Sequence, residues 1–144
     1  MEIENHQFAL PIKDGKETKD LERHLRNVVH PIRKNENNAL LIPSANFNAL
    51  FLTAHAMSHF LYESITIRNV LDWALFLKEE HDNVDWKTFW KWCDKMHYTR
   101  FVECLNCICE KYLGVEIAPH VATSLGRPIT YSREELSERI LWDV

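Results

Sequence analysis

The sequence predicts a mainly α-helical fold, a single helical domain of five or six helices with at most a short strand near the N-terminus. Three observations predict it. From Pro43 onward apolar residues recur with a helical period. Helix-capping residues stand at the heads of these runs: Ser44, Ser64 or Thr66, and Asp85. Only three glycines occur in 144 residues, which leaves few places for turns that need positive φ.

The chain divides into an N-terminal arm, residues 1–43, and a helical domain, residues 44–144. In the arm, Glu2 to Leu10 reads as a short strand and Lys13-Asp14-Gly15-Lys16 as a turn. A charged helix is expected from about Lys19 to Val29, ending before Pro31, because the residue before a proline disfavours helix. The polar stretch Arg33 to Asn38 reads as a loop.

In the helical domain, the first helix places Phe47, Leu50, Phe51, Ala54, Ser58 and Leu61 on one face. The second places Ile67, Val70, Leu71, Ala74 and Lys78 on its face, flanked by Leu75 and Leu77. The third, capped by Asp85, carries a stripe of Trp86, Phe89, Trp90 and Cys93, with Val84 and Phe89 forming a hydrophobic staple across the cap. The fourth, about Tyr98 to Leu113, buries Phe101, Cys104, Leu105, Ile108, Cys109 and Tyr112 and stops at Gly114. Ser132-Arg133-Glu134-Glu135 is a capping box that opens a last helix.

Composition excludes several classes. A hydrophobic content of 46%, a charged content of 26% and a net charge of -4 describe a globular chain with no electrostatic case for nucleic acid. No apolar run reaches the roughly 18–20 residues that cross a bilayer. The opening MEIENHQF carries acidic residues where a signal peptide is basic and then apolar, so a cytoplasmic location is expected. Three of the four cysteines fall in CLNCIC, which suits a reducing compartment better than a disulfide framework.

Chemistry concentrates in HAMSHFLYESITIRNVLDWALFL, residues 55–77. His55 and His59 stand four apart, the spacing at which two imidazoles on one helix share an ion. The zinc-protease pattern needs a glutamate directly after the first histidine, and Ala56 occupies that place. A third ligand would have to come from another element, with Asp72 the obvious source. In surroundings this apolar, both histidines are expected to hydrogen-bond to core neighbours without metal. If the two helices pack as an antiparallel hairpin, Asp72 falls level with Met57, between His55 and His59. Arg68 reaches Asp72 at i, i+4. The expectation is an interhelical polar cluster of Arg68, Asp72 and at least one histidine. Removing a buried Asp72 carboxylate would then cost on the order of 2–4 kcal/mol.

Cys104, Cys107 and Cys109 supply only one of the paired motifs that a structural zinc needs, and Cys104 and Cys109 lie on an apolar stripe, so core packing is their expected role. Trp86 and Trp90 also belong to a core stripe. Trp92 alone is left as an exposed aromatic, and the interleaved Lys87, Lys91 and Lys95 read as a solvated face.

The stretch from Leu41 to Leu77 resembles the uncharacterised nucleotidyltransferase family. Members carry H…H-F, a short loop, and L-R-x-L-x-D-W-x-L-F-L. Here those are His55, His59-Phe60, Ile67-Arg68, Leu71-Asp72-Trp73 and Leu75-Phe76-Leu77. Ile3-Glu4-Asn5-His6 resembles a family segment in which a carboxylate precedes a histidine by two positions. The resemblance implies a polymerase-β-like catalytic fold followed by a helical domain, with two magnesium ions held by carboxylates to align nucleotide phosphates. That fold supplies Gly-Ser followed by Asp-x-Asp, and neither element occurs in this sequence. Glu4 matches the place of the third carboxylate.

The expectation is therefore the C-terminal helical portion of such a protein, truncated and inactive alone, since the core of the active site would precede Met1 and Ile140 to Val144 run on without a cap. Arg68 is the residue expected to touch phosphate. Magnesium and nucleotide would bind only in the complete protein, and the expected partner is a catalytic nucleotidyltransferase domain or another chain. A stand-alone interaction module is the alternative, and a hydrolase built on His55, His59 and Asp72 ranks below it.

Overall fold

The computed structural model describes residues 10, 15–29, 33–34, 41–122 and 124, and the described part is mainly helical. Helix α1 (Lys16–Val28) begins three residues before the expected start, with extended Gly15 at its N-cap. A two-residue ladder follows, in which β1 (Arg33–Lys34) pairs antiparallel with β2 (Leu41–Ile42), Arg33 opposite Ile42. The first residues of the expected loop are thus paired. Then come α2 (Ala45–Tyr62), α3 (Ile67–Glu80), a 3-10 turn at His81–Asn83, α4 (Trp86–Lys95), α5 (Thr99–Leu113) and the four-residue α6 (Pro119–Ala122). The expected strand at Glu2–Leu10, except for Leu10, and the expected helix from Ser132 lie outside the described residues.

Local chemistry sets most boundaries. Ser44 Oγ accepts from Phe47 N at 3.2 Å and donates to the Val28 carbonyl, so one hydroxyl caps α2 and ties it to the end of α1. Asn69 Oδ1 accepts from Thr66 N at 3.0 Å, closing the head of α3. Asp85 accepts from Thr88 N at 3.1 Å and Thr88 Oγ1 at 2.7 Å, which holds its carboxyl below the ordinary range. Gly114 ends α5 at φ 65°, a left-handed conformation that side chains resist, while Val115 N closes onto the Cys109 carbonyl at 3.1 Å.

Helix α2 packs against α1, α3 and α4, and α5 packs against α3, α4 and α6. Their shared core centres on Trp73, whose ring stacks on Phe76 at 5.4 Å and Phe89 at 6.0 Å and meets Trp86 edge-on at 6.4 Å. Trp86, Phe89, Trp90 and Cys93 are all buried, as the sequence predicts for α4. So are Phe101, Cys104, Leu105, Ile108 and Cys109 on α5, whereas Tyr112 is half exposed.

Two faces differ from expectation. On α2 the core takes Ala45, Ala49, Leu50, Thr53, Ala54 and Ala56, leaving Phe47 and Phe51 half-buried and Leu61 exposed. Small side chains let three neighbouring helices approach the middle of α2, so the bulky residues ride at its edge. On α3 the core takes Val70, Trp73, Ala74, Phe76 and Leu77. Ile67, Leu71 and Leu75 are exposed instead. The large indole of Trp73 and ring of Phe76 bury more area than those three aliphatic side chains, and they set the rotation of the helix.

Candidate functional site

Among the described residues, three groups of side chains are candidates for chemistry. The first runs along the outer face of α2 at four-residue intervals. Phe47 stacks on Phe51 at 5.7 Å, and Phe51 stacks on His55 at 5.8 Å. His55 Nε2 and His59 Nε2 stand 3.1 Å apart, and His59 Nδ1 lies 2.7 Å from Glu63 Oε2. His55 is exposed, and the His59 side chain is 27% exposed. Both histidines are therefore surface groups, contrary to the expectation of a core location. They fall opposite the alanine-lined face that packs.

The second group is on α3. Arg68 Nε lies 3.9 Å from Asp72 Oδ2, so the expected i, i+4 pair forms, but as a loose contact. The Arg68 side chain is 88% exposed and that of Asp72 48%. The rotation of α3 that buries Trp73 turns Asp72 outward. The histidines pair with each other and with Glu63, Asp72 pairs with Arg68, and the two pairs do not merge. The expected interhelical cluster is corrected accordingly. The hydrolase reading loses its third ligand as well, and among the described residues no group of three or more His, Cys, Asp or Glu side chains could hold a metal ion.

The third group surrounds a cavity of about 110 Å³ lined by His24, Val28, Asn46, Leu50, Asp85, Thr88 and Phe89. Burial pushes the His24 imidazole below its ordinary pKa, and its ring packs against Trp92 at 4.8 Å. Asn46 Oδ1 accepts from Asp85 N at 2.7 Å. Ligand pockets span roughly 300–1,000 Å³, so this cavity is too small for a nucleotide. Trp92, expected as an exposed aromatic, is half-buried against His24 and the core, with Lys95 Nζ 4.8 Å above its ring.

The cysteines behave as core residues. Cys93, Cys104 and Cys109 are buried and Cys107 is half-buried. Burial raises the Cys93 thiol strongly and those of Cys104 and Cys109 to about 12, which makes them inert at neutral pH.

Two buried polar residues on α5 were not anticipated. Asn106 Oδ1 accepts from Trp73 Nε1 at 2.9 Å, and its Nδ2 donates to the Val121 carbonyl at 3.2 Å. Glu103 Oε1 accepts from Ser124 N and Oγ, each at 3.1 Å. Asn106 carried a readable signal, because Val102 and Cys109 place it on an apolar line at i-4 and i+3.

The family model of the uncharacterised nucleotidyltransferases matches residues 1–114. The chain belongs to that family. No curated protein and no solved structure matches it. The α3 residues within the matched span divide into two kinds. Trp73, Phe76 and Leu77 face the core, whereas Ile67, Arg68, Leu71, Asp72 and Leu75 face outward. Glu4, the candidate catalytic carboxylate, lies inside the matched span but outside the described residues. Among the described residues no helix is long and apolar enough to cross a membrane.

Proposed function

We propose that the chain is a helical module of a nucleotidyltransferase, which works beside a catalytic domain and does not transfer nucleotides by itself. One observation carries this reading. Of the eight α3 motif residues, Trp73, Phe76 and Leu77 are accounted for by the chain's own core, and the other five are not. Ile67, Leu71 and Leu75 form an exposed apolar stripe at i, i+4 and i+8, with Phe60, Leu61 and Tyr62 of α2 also exposed. Apolar area of this kind on a soluble surface marks a contact with another domain or chain. Arg68 and Asp72 sit on the same helix as that stripe, so an anion held there would lie beside whatever docks on it.

Catalysis by this family's chemistry needs carboxylates that hold two magnesium ions in near-octahedral geometry. The sequence offers neither Gly-Ser nor Asp-x-Asp, and Glu4 alone supplies too few oxygens. In this reading the catalytic carboxylates come from another domain or partner chain, and magnesium and nucleotide bind in that assembly. Arg68 would contact a substrate phosphate. Its loose pairing with Asp72 costs little to break. Titration of magnesium-ATP into the assembly of the chain with its catalytic domain, followed by the amide resonances of α3, tests that role. The expected shifts centre on Arg68 and vanish in Arg68→Ala; unchanged spectra would reject it.

The exposed stripe also fits a second reading, a stand-alone interaction module, and membership in a nucleotidyltransferase family favours the first. The two separate on what is bound, since the nucleotidyltransferase reading requires a partner that carries Gly-Ser and Asp-x-Asp.

A further inference from the structure

Glu63, His59 and His55 form a linear series along one edge of α2. A carboxylate that accepts the Nδ1–H of a histidine fixes the tautomer and leaves the Nε2 lone pair free for a cation. Glu63 Oε2 stands 2.7 Å from His59 Nδ1, so Nε2 of His59 is the nitrogen left as acceptor. That atom accepts from His55 Nε2–H at 3.1 Å, and an ion binding between the rings takes the place of that proton, His55 shifting to its Nδ1–H tautomer. Two imidazole nitrogens on one tetrahedral zinc, each 2.0–2.1 Å from the metal, stand about 3.3 Å apart. The observed spacing lies close to that bite. Phe51, stacked on the His55 ring at 5.8 Å, braces the outer ligand.

We infer that His55 and His59 form a chelate for a borderline divalent transition ion of the zinc class, with Glu63 orienting His59. Imidazole donors select zinc, nickel, cobalt or copper over magnesium, so this ion is distinct from the magnesium of nucleotidyl transfer. Ala56 and the outward Asp72 leave only two protein ligands, and a core location of both histidines would have closed even those to an ion. His55 is exposed and the His59 side chain is 27% exposed, so an ion from solvent can reach the pair. Two protein ligands leave coordination positions open to water or to an oxygen of a bound molecule. The inference is independent of the proposed module function.

The test is calorimetric titration of the chelator-treated chain with zinc chloride, repeated on variants. One ion per chain is expected. Because both rings lie on the outer face of α2, His55→Ala and His59→Ala keep the helical circular dichroism spectrum and bind at least tenfold more weakly. Glu63→Gln weakens binding by about 10–100-fold, the usual effect of removing an orienting carboxylate. His81→Ala and Cys107→Ser, which alter other donors, leave it unchanged. Absence of binding, or binding that persists in both histidine variants, would overturn the inference.

Discussion

Trp73 Nε1 donates to Asn106 Oδ1 at 2.9 Å, a buried hydrogen bond between residues 33 positions apart. It joins α3 to α5, and Asn106 then passes the connection to α6 through the Val121 carbonyl at 3.2 Å. Asn106→Ala orphans a buried indole N–H and a buried carbonyl and leaves a small void. The expected loss is about 3 kcal/mol, read from urea unfolding. Trp73→Phe keeps the ring stack but orphans the amide oxygen, at about 1–2 kcal/mol. Equal stability of Asn106→Ala and the parent would show that the bond is not a structural tie.

Helical periodicity made the fold legible because most of the burial follows it. The α4 stripe and, apart from Tyr112, the α5 stripe are where the spacing puts them. The α2 and α3 faces depart from the spacing for one reason: side-chain size, more than the number of apolar residues, decides which face packs. Four alanines let α2 approach its neighbours, and Trp73 took the place assigned to Leu71. The candidate site inherits that departure, since a rotated α3 carries Asp72 to the surface. Spacing alone could place His59 near His55, but not the 2.7 Å contact with Glu63 that orients it.

The exposure of Asp72 reverses an expectation about stability. Its ion pair with Arg68 is surface-exposed and 3.9 Å long, and such pairs contribute about 0.3–0.5 kcal/mol on a helix. Asp72→Ala should therefore cost less than about 0.5 kcal/mol in denaturant unfolding. A loss of 2 kcal/mol or more would mean that the carboxylate has a buried partner.

His24 gives the fold a defined pH response. Its pKa is lowered from 6.5 by burial, so the folded state resists a proton that the unfolded chain accepts. Above pH 6.5 both states are neutral and the group contributes no slope. As pH falls below 6.5, stability is lost until the folded value is reached. Unfolding midpoints at pH 7.5 and 5.5 should differ more for the parent than for His24→Gln. Identical differences would remove His24 as the cause.

Thiol labelling should separate the four cysteines. Cys107 is half-buried, whereas Cys93, Cys104 and Cys109 are buried, with burial raising the latter two thiols to about 12. Brief alkylation of the native chain at pH 8, read by peptide mass spectrometry, should modify Cys107 first. Early labelling of Cys93 would contradict the packing of α4.

The claim that the chain serves as a helical module beside a catalytic domain is tested most directly by assaying transfer itself. Purified chain would be incubated with magnesium, each labelled nucleoside triphosphate, and protein or nucleic acid acceptors. The account predicts incorporation no higher than in a reaction without protein, for the parent and for Glu4→Ala alike. Incorporation by the parent that disappears in Glu4→Ala would contradict it and place a working active site within these 144 residues.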